Sequence, residues 1–273
     1  MSSGPERVRD ILERHGLHPS RAFGQNFVAD PNTVRRIAAL SGVGPGRAVL
    51  EIGAGLGALT RALAATGARV VTVEADARLL PALHEQVDGL GVEVVQGDAM
   101  TIDLGALLGA DNSWSVVANL PYNVAVPVVV RILEEAPGVT DMTVMVQREV
   151  GERLAAAPGG KDYGAVSVKV AYYATARVVG RVPATVFVPR PRVESTLVRI
   201  ERRDRVAVDP AVVGAERLFT VVRAGFGQRR KMLRGALAGV VGAECFAEAG
   251  IDPRARAEEL SVEDWGRLAA CSG

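Results

Sequence analysis

The stretch NLPYNV, residues 119–124, places an amide, a proline and an aromatic side chain directly after the apolar run WSVVA. The exocyclic amine of a nucleic-acid base is a poor nucleophile because its lone pair is delocalised into the ring, so a transfer site needs oxygen acceptors for its hydrogens. Asn119 offers one acceptor, and Pro121 holds Leu120 extended so that a main-chain carbonyl can offer a second. Tyr122 supplies a ring on which a base can stack. The motif predicts methyl transfer to a base amine; the alternative is a strand-end turn with a packed tyrosine.

A glycine-rich turn precedes this motif in EIGAGLGALT, residues 51–60. Gly53 and Gly55 permit a sharp turn and let a ligand approach main-chain amides that a Cβ would screen. Together with Ala58 the same glycines match the dinucleotide fingerprint GxGxxG/A. The turn therefore predicts a cofactor site and leaves an NAD-dependent enzyme open as an alternative.

Two carboxylates follow at the ends of the next two predicted strands. Glu74 lies about 20 residues after the first glycine, where a carboxylate accepts hydrogen bonds from ribose hydroxyls. Asp98, in GDAM, can accept a hydrogen bond from the amine of an adenine ring, the alternative being a local turn. These positions indicate a cofactor that contains adenosine, without deciding between NAD and S-adenosylmethionine.

Short β-branched runs alternate with helical stretches from residue 47 onward. The runs are apolar on both faces, as in a parallel sheet covered by helices; they are AVLEIG, RVVTVEA, VEVVQGD, WSVVANL and MTVMVQ. The helical stretches between them are ALTRALAATG, ARLLPALHEQV and AVPVVVRILEEA. Repeated units of this kind predict a doubly wound, Rossmann-like α/β domain that binds ligands at the carboxyl ends of its strands. All the motifs above fall just after predicted strands.

The length of the chain, 273 residues with 48% hydrophobic residues, suits one large domain and a small companion. Asp30 and Pro31 predict the start of a helix after the segment FGQNFVA. From about residue 205 the pattern is helical, with no further strand. We therefore expect an α/β domain with an N-terminal helical arm over 1–204 and a small all-helical domain over 205–273.

Composition excludes several classes of protein. The N-terminus is charged, and no apolar run approaches the roughly 18 residues of a membrane span, so we expect a soluble cytoplasmic protein. Cys245 and Cys271 form no CxxC pair, and the histidines lie outside every motif, so we expect neither a disulfide framework nor a metal site.

Basic residues are concentrated in one part of the chain. Between Arg177 and Arg234 there are 14 Lys and Arg against 5 Asp and Glu, although the net charge of the whole chain is only +1. Arginine-rich composition accounts for the choice of residue but not for the clustering. The segregation predicts a surface for a polyanion such as RNA.

Seven features, in chain order, resemble those of the bacterial small-subunit ribosomal RNA adenine dimethyltransferases: GQNF, EIGAGLGALT, Glu74, GDAM, NLPYNV, FVPRPRVES and GFGQRRKMLRGAL. NLPY and the QRRK stretch are far more specific than the glycine turn. The resemblance implies a methyltransferase domain that uses S-adenosylmethionine to dimethylate two adjacent adenosines near the 3′ end of 16S rRNA. The implied partner is 16S rRNA or the maturing small subunit, bound by a monomer.

The resemblance also implies roles for individual residues. The residues expected at the cofactor are Gln25, Asn26, Val28, Gly53, Gly55, Glu74, Asp98 and Asn119. Those expected at the reacting base are Asn119, Leu120, Pro121, Tyr122 and Phe187. Val28 stands where the family often has leucine, which leaves a main-chain contact unaffected. Without the resemblance, Phe187 would be taken as a core side chain.

The expected RNA contacts come from two basic clusters. Arg190 and Arg192 flank the proposed base pocket, and the second cluster is expected on adjacent turns of one helix and consists of Arg229, Arg230, Lys231 and Arg234. Such contacts position RNA without reading its sequence, so selectivity should come from RNA shape and from extrusion of one adenosine. A solvated helix face is the alternative for the second cluster.

Three other functions remain open at this point. An NAD dehydrogenase would need a catalytic His or Lys near the glycine turn, and none is evident. The related antibiotic-resistance dimethyltransferases of large-subunit RNA share the first domain and commonly have isoleucine in place of Leu120. A non-catalytic assembly factor would have kept the fold without the chemistry.

Overall fold

The computed structural model describes residues 4–20, 23–109 and 113–271. Two compact units are formed: unit 1 from Met1–Gly151 with Arg177–Glu201, and unit 2 from Glu152–Ala176 with Arg202–Gly273. The sequence predicts a single boundary after residue 204, whereas the chain crosses between the units three times and residues 152–176 belong to unit 2. The RNA-binding role assigned to the C-terminal domain stays a prediction.

The elements of the described residues alternate between helices and strands up to residue 154. A further helix and three strands follow up to residue 202, and the elements after it are helical. The strands are β1 (Phe27–Val28), β2 (Ala48–Ile52), β3 (Arg69–Glu74), β4 (Glu93–Gln96), β5 (Trp114–Asn119), β6 (Val139–Gln147), β7 (Ala174–Val182), β8 (Phe187–Val188) and β9 (Ser195–Arg202). The helices are α1 (Gly4–Arg14), α2 (Pro31–Ser41), α3 (Ala58–Ala64), α4 (Leu80–Val87), α5 (Leu104–Leu108), α6 (Ala125–Glu135), α7 (Arg148–Leu154), α8 (Ala165–Tyr173), α9 (Ala215–Gly227), α10 (Leu233–Ala236), α11 (Ala243–Glu248) and α12 (Val262–Cys271).

The main sheet has the strand order β4-β3-β2-β5-β6-β9-β7, and β1 pairs separately with β8. Strands β2 to β6 are parallel to their neighbours, and β9 is antiparallel to β6. The central strands are almost wholly buried, as their continuous apolar runs predict. All five predicted strands are confirmed, and the carboxyl ends of β2, β3, β4 and β5 meet at one edge, where the motifs were expected to lie.

The predicted caps set the start of the helices in unit 1. Asp30 accepts hydrogen bonds from the amides of Asn32 and Thr33, and Pro31 occupies the first turn of α2. Helix α3 begins after Gly57, whose φ of 76° lies in the left-handed region. The α1 arm buries Val8, Ile11 and Leu12 against a cluster that includes Phe27. Several elements, among them β7 and α8, were not predicted from the sequence.

Unit 2 has its own apolar core around Trp265, Tyr163 and Phe219. Gly225 of α9 lies directly against the indole of Trp265, where a Cβ would overlap the ring. The prediction that no strand follows residue 205 is confirmed for the described residues up to 271. No helix among the described residues is both long and apolar enough to cross a membrane.

The QRRK stretch is not helical, and the prediction of one continuous basic helix is wrong. Helix α9 ends at Gly227, and residues 228–230 form a turn that is closed by a hydrogen bond from Lys231 N to Gln228 O, 2.8 Å. Gly227 favours this termination because glycine loses more backbone conformational entropy in a helix than other residues do. The turn is stabilised by a residue far along the chain, because Arg229 Nε forms an ion pair of 3.0 Å with Glu258.

Candidate active site

A cavity of about 290 Å³ opens at the carboxyl ends of the parallel strands in unit 1. This is where open α/β sheets bind ligands. Its walls come from the loop before β1, the ends of β2, β3 and β4, and the NLPY motif. The lining includes Phe23, Gln25, Asn26, Gly53, Gly55, Glu74, Asp98, Asn119, Leu120, Pro121 and Tyr122.

The amide of Asn119 is oriented by one hydrogen bond. Its Nδ2 donates to the main-chain oxygen of Asn26 at 3.2 Å, which leaves Oδ1 without a donor among the described residues. The amide of Leu120 donates to Met145 O at 3.0 Å, while its own carbonyl receives no hydrogen bond within the described part of the chain. The motif thus carries two uncommitted oxygen acceptors, as the sequence predicts.

The ring of Tyr122 is fixed through its hydroxyl. The Tyr122 hydroxyl and Ser195 Oγ, at the start of β9, form a hydrogen bond of 3.2 Å. The tyrosine is half-buried and lines the cavity. A ring anchored at its polar tip keeps a constant orientation, which is what stacking on a flat base requires.

Glu74 is tied to the glycine turn. Its two carboxylate oxygens accept hydrogen bonds from Gly55 N at 2.7 Å and from Asp76 N at 2.8 Å. Burial raises the pKa of the Glu74 carboxyl, and these amide donors oppose the shift. Each oxygen retains a further lone pair that a ligand hydroxyl can use. Gly55 has a φ of 57°, and a Cβ there would come within 3.1 Å of the Phe27 ring.

Asp98 forms a local turn and also keeps an oxygen for a ligand, the two roles between which the sequence left a choice. Its Oδ1 accepts a hydrogen bond from Met100 N at 2.8 Å, which forms a local turn. Its Oδ2 has no partner among the described residues, and the side chain is exposed at the cavity. The turn therefore positions the residue and leaves one oxygen for a ligand.

Gln25 is a tether that the sequence pattern did not reveal. Its Nε2 donates to Asp76 Oδ2 at 2.9 Å, and its Oε1 accepts from Ser20 N at 2.8 Å. Asp76 is itself paired with Arg78, whose hydrogen bonds lower the pKa of Asp76 to about 2. The loop before β1 is thereby fastened to the end of β3. Phe23 also lines the cavity, and no sequence motif pointed to it.

Four expected site residues of unit 1 do not line this cavity. Phe187 is 3% exposed in the core and does not line this cavity. Its backbone pairs with Val28, which is also buried and borders an adjoining cavity of about 350 Å³ that shares Gly53, Gly55 and Asn119. Arg190 and Arg192 are exposed outside the lining. Their proposed roles stay predictions.

The second basic cluster lies in unit 2. Arg230, Lys231 and Arg234 are exposed, whereas Arg229 is committed to Glu258 and to the carbonyl of Lys161. The cluster is therefore split between one cation with a structural partner and three that face solvent. Within the described residues, no three or more His, Cys, Asp or Glu side chains are grouped so as to hold a metal ion.

Comparison with known proteins gives consistent matches over nearly the whole chain. The model of the family described as ribosomal RNA adenine dimethylase matches residues 17–271. The chain is 48% identical to ribosomal RNA small subunit methyltransferase A of Cutibacterium acnes, across 97% of this chain and 92% of that protein. It is 43% identical to the protein of the same name from Moorella thermoacetica, across 97% and 96%.

Two solved structures share the fold. A dimethyladenosine transferase from Plasmodium falciparum superposes with a TM-score of 0.74 at 20% identity, covering 88% of this chain and 94% of that one. The 23S rRNA methyltransferase ErmE gives a TM-score of 0.71 at 27% identity, covering 90% and 99%. The α/β architecture with a helical second unit is therefore that of a methyltransferase.

Proposed function

Because the chain belongs to the ribosomal RNA adenine dimethylase family, we propose that it transfers methyl groups from S-adenosylmethionine to two adjacent adenosines near the 3′ end of 16S rRNA. Each adenosine would receive two methyl groups on its exocyclic amine during maturation of the small subunit. The observation that carries the proposal is the pair of uncommitted acceptors, Asn119 Oδ1 and the Leu120 carbonyl, beside the anchored ring of Tyr122.

The choice of small-subunit RNA rests on the degree of similarity. Relatives named small subunit methyltransferase A are 48% and 43% identical to this chain, whereas the 23S rRNA methyltransferase ErmE is 27% identical. The family match also argues against an NAD dehydrogenase, although the glycine turn by itself suits both cofactors. The protein is proposed to act as a cytoplasmic monomer.

The residues at the strand ends fit S-adenosylmethionine. Glu74 would hold the ribose, Asp98 Oδ2 the adenine amine, and the Gly53–Gly55 turn would lie against the cofactor without an intervening Cβ. Asn26 and Val28 would contribute main-chain contacts, and Gln25 would hold the loop in place. When bound, the cofactor supplies an electrophilic methyl group on a sulfonium sulfur.

The chain itself contributes mainly position and hydrogen-bond acceptors. Asn119 and the Leu120 carbonyl would bind the two hydrogens of the adenine amine and draw its lone pair out of conjugation. Tyr122 would stack on the ring and hold the nitrogen facing the methyl group. A strong general base is unnecessary because an alkylated amine is acidic and loses its proton to water. Of the two acceptors, only Asn119 can be removed by substitution.

RNA binding would use the exposed cations. Arg190 and Arg192 of unit 1 are exposed, as are Arg230, Lys231 and Arg234 of unit 2, and Arg234 lies near enough to Asp252 to lower the pKa of that carboxyl. Arg229 would support the turn through Glu258. We expect Arg230→Gln with Lys231→Gln to weaken RNA binding and to reduce the slope of log affinity against log salt by about 2. Lys169→Gln is the matched control, because this cation lies over the ring of Phe219.

The decisive experiment is labelled methyl transfer to unmethylated small subunits, large subunits and free RNA in parallel, with mapping of the modified bases. Dimethylated adenosines in small-subunit RNA are the expected product. Methylation confined to large-subunit RNA would replace the proposal with the resistance-enzyme function. Specific binding of small subunits with no transfer to any substrate would indicate an assembly factor.

A further inference from the structure

Phe23 lies at the mouth of the cavity and has no part in the function proposed so far. Its side chain is 41% exposed, although an apolar ring of this size is favoured inside the protein. It lines the same cavity as Pro121 and Tyr122. An exposed aromatic ring in the wall of a ligand site is accessible to the ligand, and such sites are lined mainly by apolar and aromatic side chains.

The loop that carries Phe23 is held firmly against the NLPY motif. Gly24 faces Pro121 so closely that a Cβ would come within 3.2 Å of Pro121 Cβ and of Asn123 Oδ1. The next residues are tied by the hydrogen bonds from Gln25 to Asp76 and from Asn119 to Asn26. Phe23 is thus presented at the reacting motif by a positioned backbone.

The aromatic residue expected from the family resemblance does not line this cavity. Phe187 is 3% exposed and packs in a core cluster with Val28, Ile37 and Met145. Its backbone is paired with β1, which fixes the position of the strand that carries the ring. The cavity therefore has aromatic side chains from Phe23, Phe27 and Tyr122, of which Phe27 is buried against α1.

We propose that Phe23, together with Tyr122, stacks on the target adenine. The inference rests on the proposed function and names a further substrate-binding residue for it. A base extruded from RNA loses the neighbours above and below its ring, and aromatic side chains replace them. Phe23 would contact the base and not the cofactor, so its loss should change RNA kinetics while leaving cofactor affinity intact.

The test uses two RNAs. The RNA that the wild-type protein methylates gives KM, and the same RNA with 2-aminopurine in place of the mapped adenosine gives the fluorescence. The fluorescence of 2-aminopurine rises on extrusion and is quenched when the base stacks on an aromatic ring. Phe23→Leu keeps an apolar side chain without a ring, and Phe23→Tyr restores the ring. Leu40→Ala, at another exposed apolar residue on α2, is the matched control.

For Phe23→Leu we expect loss of the quenching and about a tenfold rise in KM for RNA, with an unchanged Kd for S-adenosylhomocysteine. Phe23→Tyr should recover both RNA readouts, and Leu40→Ala should resemble the wild type. A weaker Kd for S-adenosylhomocysteine in Phe23→Leu, with normal quenching, would overturn the proposal by making Phe23 a cover for the cofactor.

Two further outcomes would also count against Phe23. Normal quenching and KM in Phe23→Leu would show that its ring is not needed. Loss of quenching in folded Phe187→Leu alone would return the role to Phe187. A wild-type protein that fails to methylate small-subunit RNA would contradict the proposed function instead, and that assay is independent of the fluorescence.

Discussion

The two ends of the parallel strands in unit 1 both carry polar side chains, but they use them differently. At the amino end, Asp141 is paired with Arg47 at 2.7 Å and with Arg199 at 2.9 Å, and Ser115 Oγ donates to it at 3.0 Å. Arg199 also donates to the carbonyl of Ser41 at 2.7 Å. These groups pair with one another across β2, β5, β6, β9 and α2, although Arg47 Nε and Asp141 Oδ1 make no hydrogen bond among the described residues.

At the carboxyl end the polar groups are oriented by the protein but not used up by it. Asn119 donates through Nδ2 and keeps Oδ1, and Asp98 uses one oxygen and keeps the other, within the described residues. Acceptors left open in this way contribute little to folding, because they can hydrogen-bond to water in both the folded and the unfolded chain. The contrast teaches that one end of the sheet stabilises unit 1 and the other binds and reacts.

The amino end gives the largest expected effect. Asp141→Asn removes the nearly buried carboxylate that pairs with both Arg47 and Arg199, and leaves Arg199 only the half-exposed Glu201. Removal of one partner from a buried ion pair typically costs about 3 to 5 kcal/mol. We expect urea unfolding to show a loss of this size, with kcat of the folded protein within about twofold of wild type.

Glu201→Gln is the matched control, because Glu201 also pairs with Arg199 but is about half exposed. Its loss should stay below about 1 kcal/mol. A large fall in kcat for Asp141→Asn under conditions where it is folded would break the proposed separation between the two ends.

Asn119→Ala should give the converse result. Removal of one oriented acceptor is expected to lower kcat about 10²- to 10³-fold, roughly 3 to 4 kcal/mol of transition-state stabilisation. Only the bond to Asn26 is lost from the fold, so the free energy of unfolding should change by about 1 kcal/mol or less. Steady-state methylation and urea unfolding check both numbers, and Asn32→Ala, on the surface of α2, is the control. Wild-type turnover would remove Asn119 from its role.

Glu74→Ala should weaken the cofactor site by a smaller factor. We expect the Kd for S-adenosylhomocysteine to rise about 10- to 100-fold, since the ribose contact is lost and Gly55 N loses its acceptor. Burial raises the pKa of Glu74, so wild-type affinity should begin to fall on acidification at a higher pH than for an exposed glutamate. Calorimetric titration measures both effects, with the exposed Glu93→Gln as control. An unchanged Kd would contradict the ribose contact.

Much of the carboxyl end was predictable because its signals are local. A buried apolar run that is followed by glycines, or by NLPY, indicates a strand of the parallel sheet. Its last residue must then lie at the carboxyl edge of that sheet. The amino-end cluster gave no signal, since Arg47, Asp141 and Arg199 are far apart in the chain and meet only through the strand order β2-β5-β6-β9.

The two departures from the sequence-based expectations have the same physical origin. The QRRK stretch has helix-forming residues, but Arg229 forms a long-range ion pair with Glu258 that stabilises the turn after Gly227. The position of Phe187 depends on the pairing of two-residue strands, β1 and β8, that lie about 160 residues apart and leave no periodic pattern. Tertiary contacts decide both cases.

Glu51 lies between the two ends, in β2, and gives the smallest expected effect. It is 1% exposed, and Thr72 Oγ1 donates to its Oε2 at 2.8 Å. Burial raises the pKa of this carboxyl from 4.5 to about 7. Between these values the unfolded chain is ionised and the folded protein is not, so the stability present below pH 4.5 declines as the pH rises through about 7.

Glu51→Gln removes this titration and keeps an acceptor for Thr72, so its free energy of unfolding should depend less on pH. Relative to wild type, the variant should gain at least about 1 kcal/mol between pH 5 and pH 8. The buried donors that the amide adds change its stability equally at both pH values and do not enter this difference. Urea unfolding of both proteins at the two pH values gives the difference. Parallel pH dependences would mean that Glu51 is ionised in the folded protein, and the polar character of the carboxyl end would then extend into the middle of the sheet.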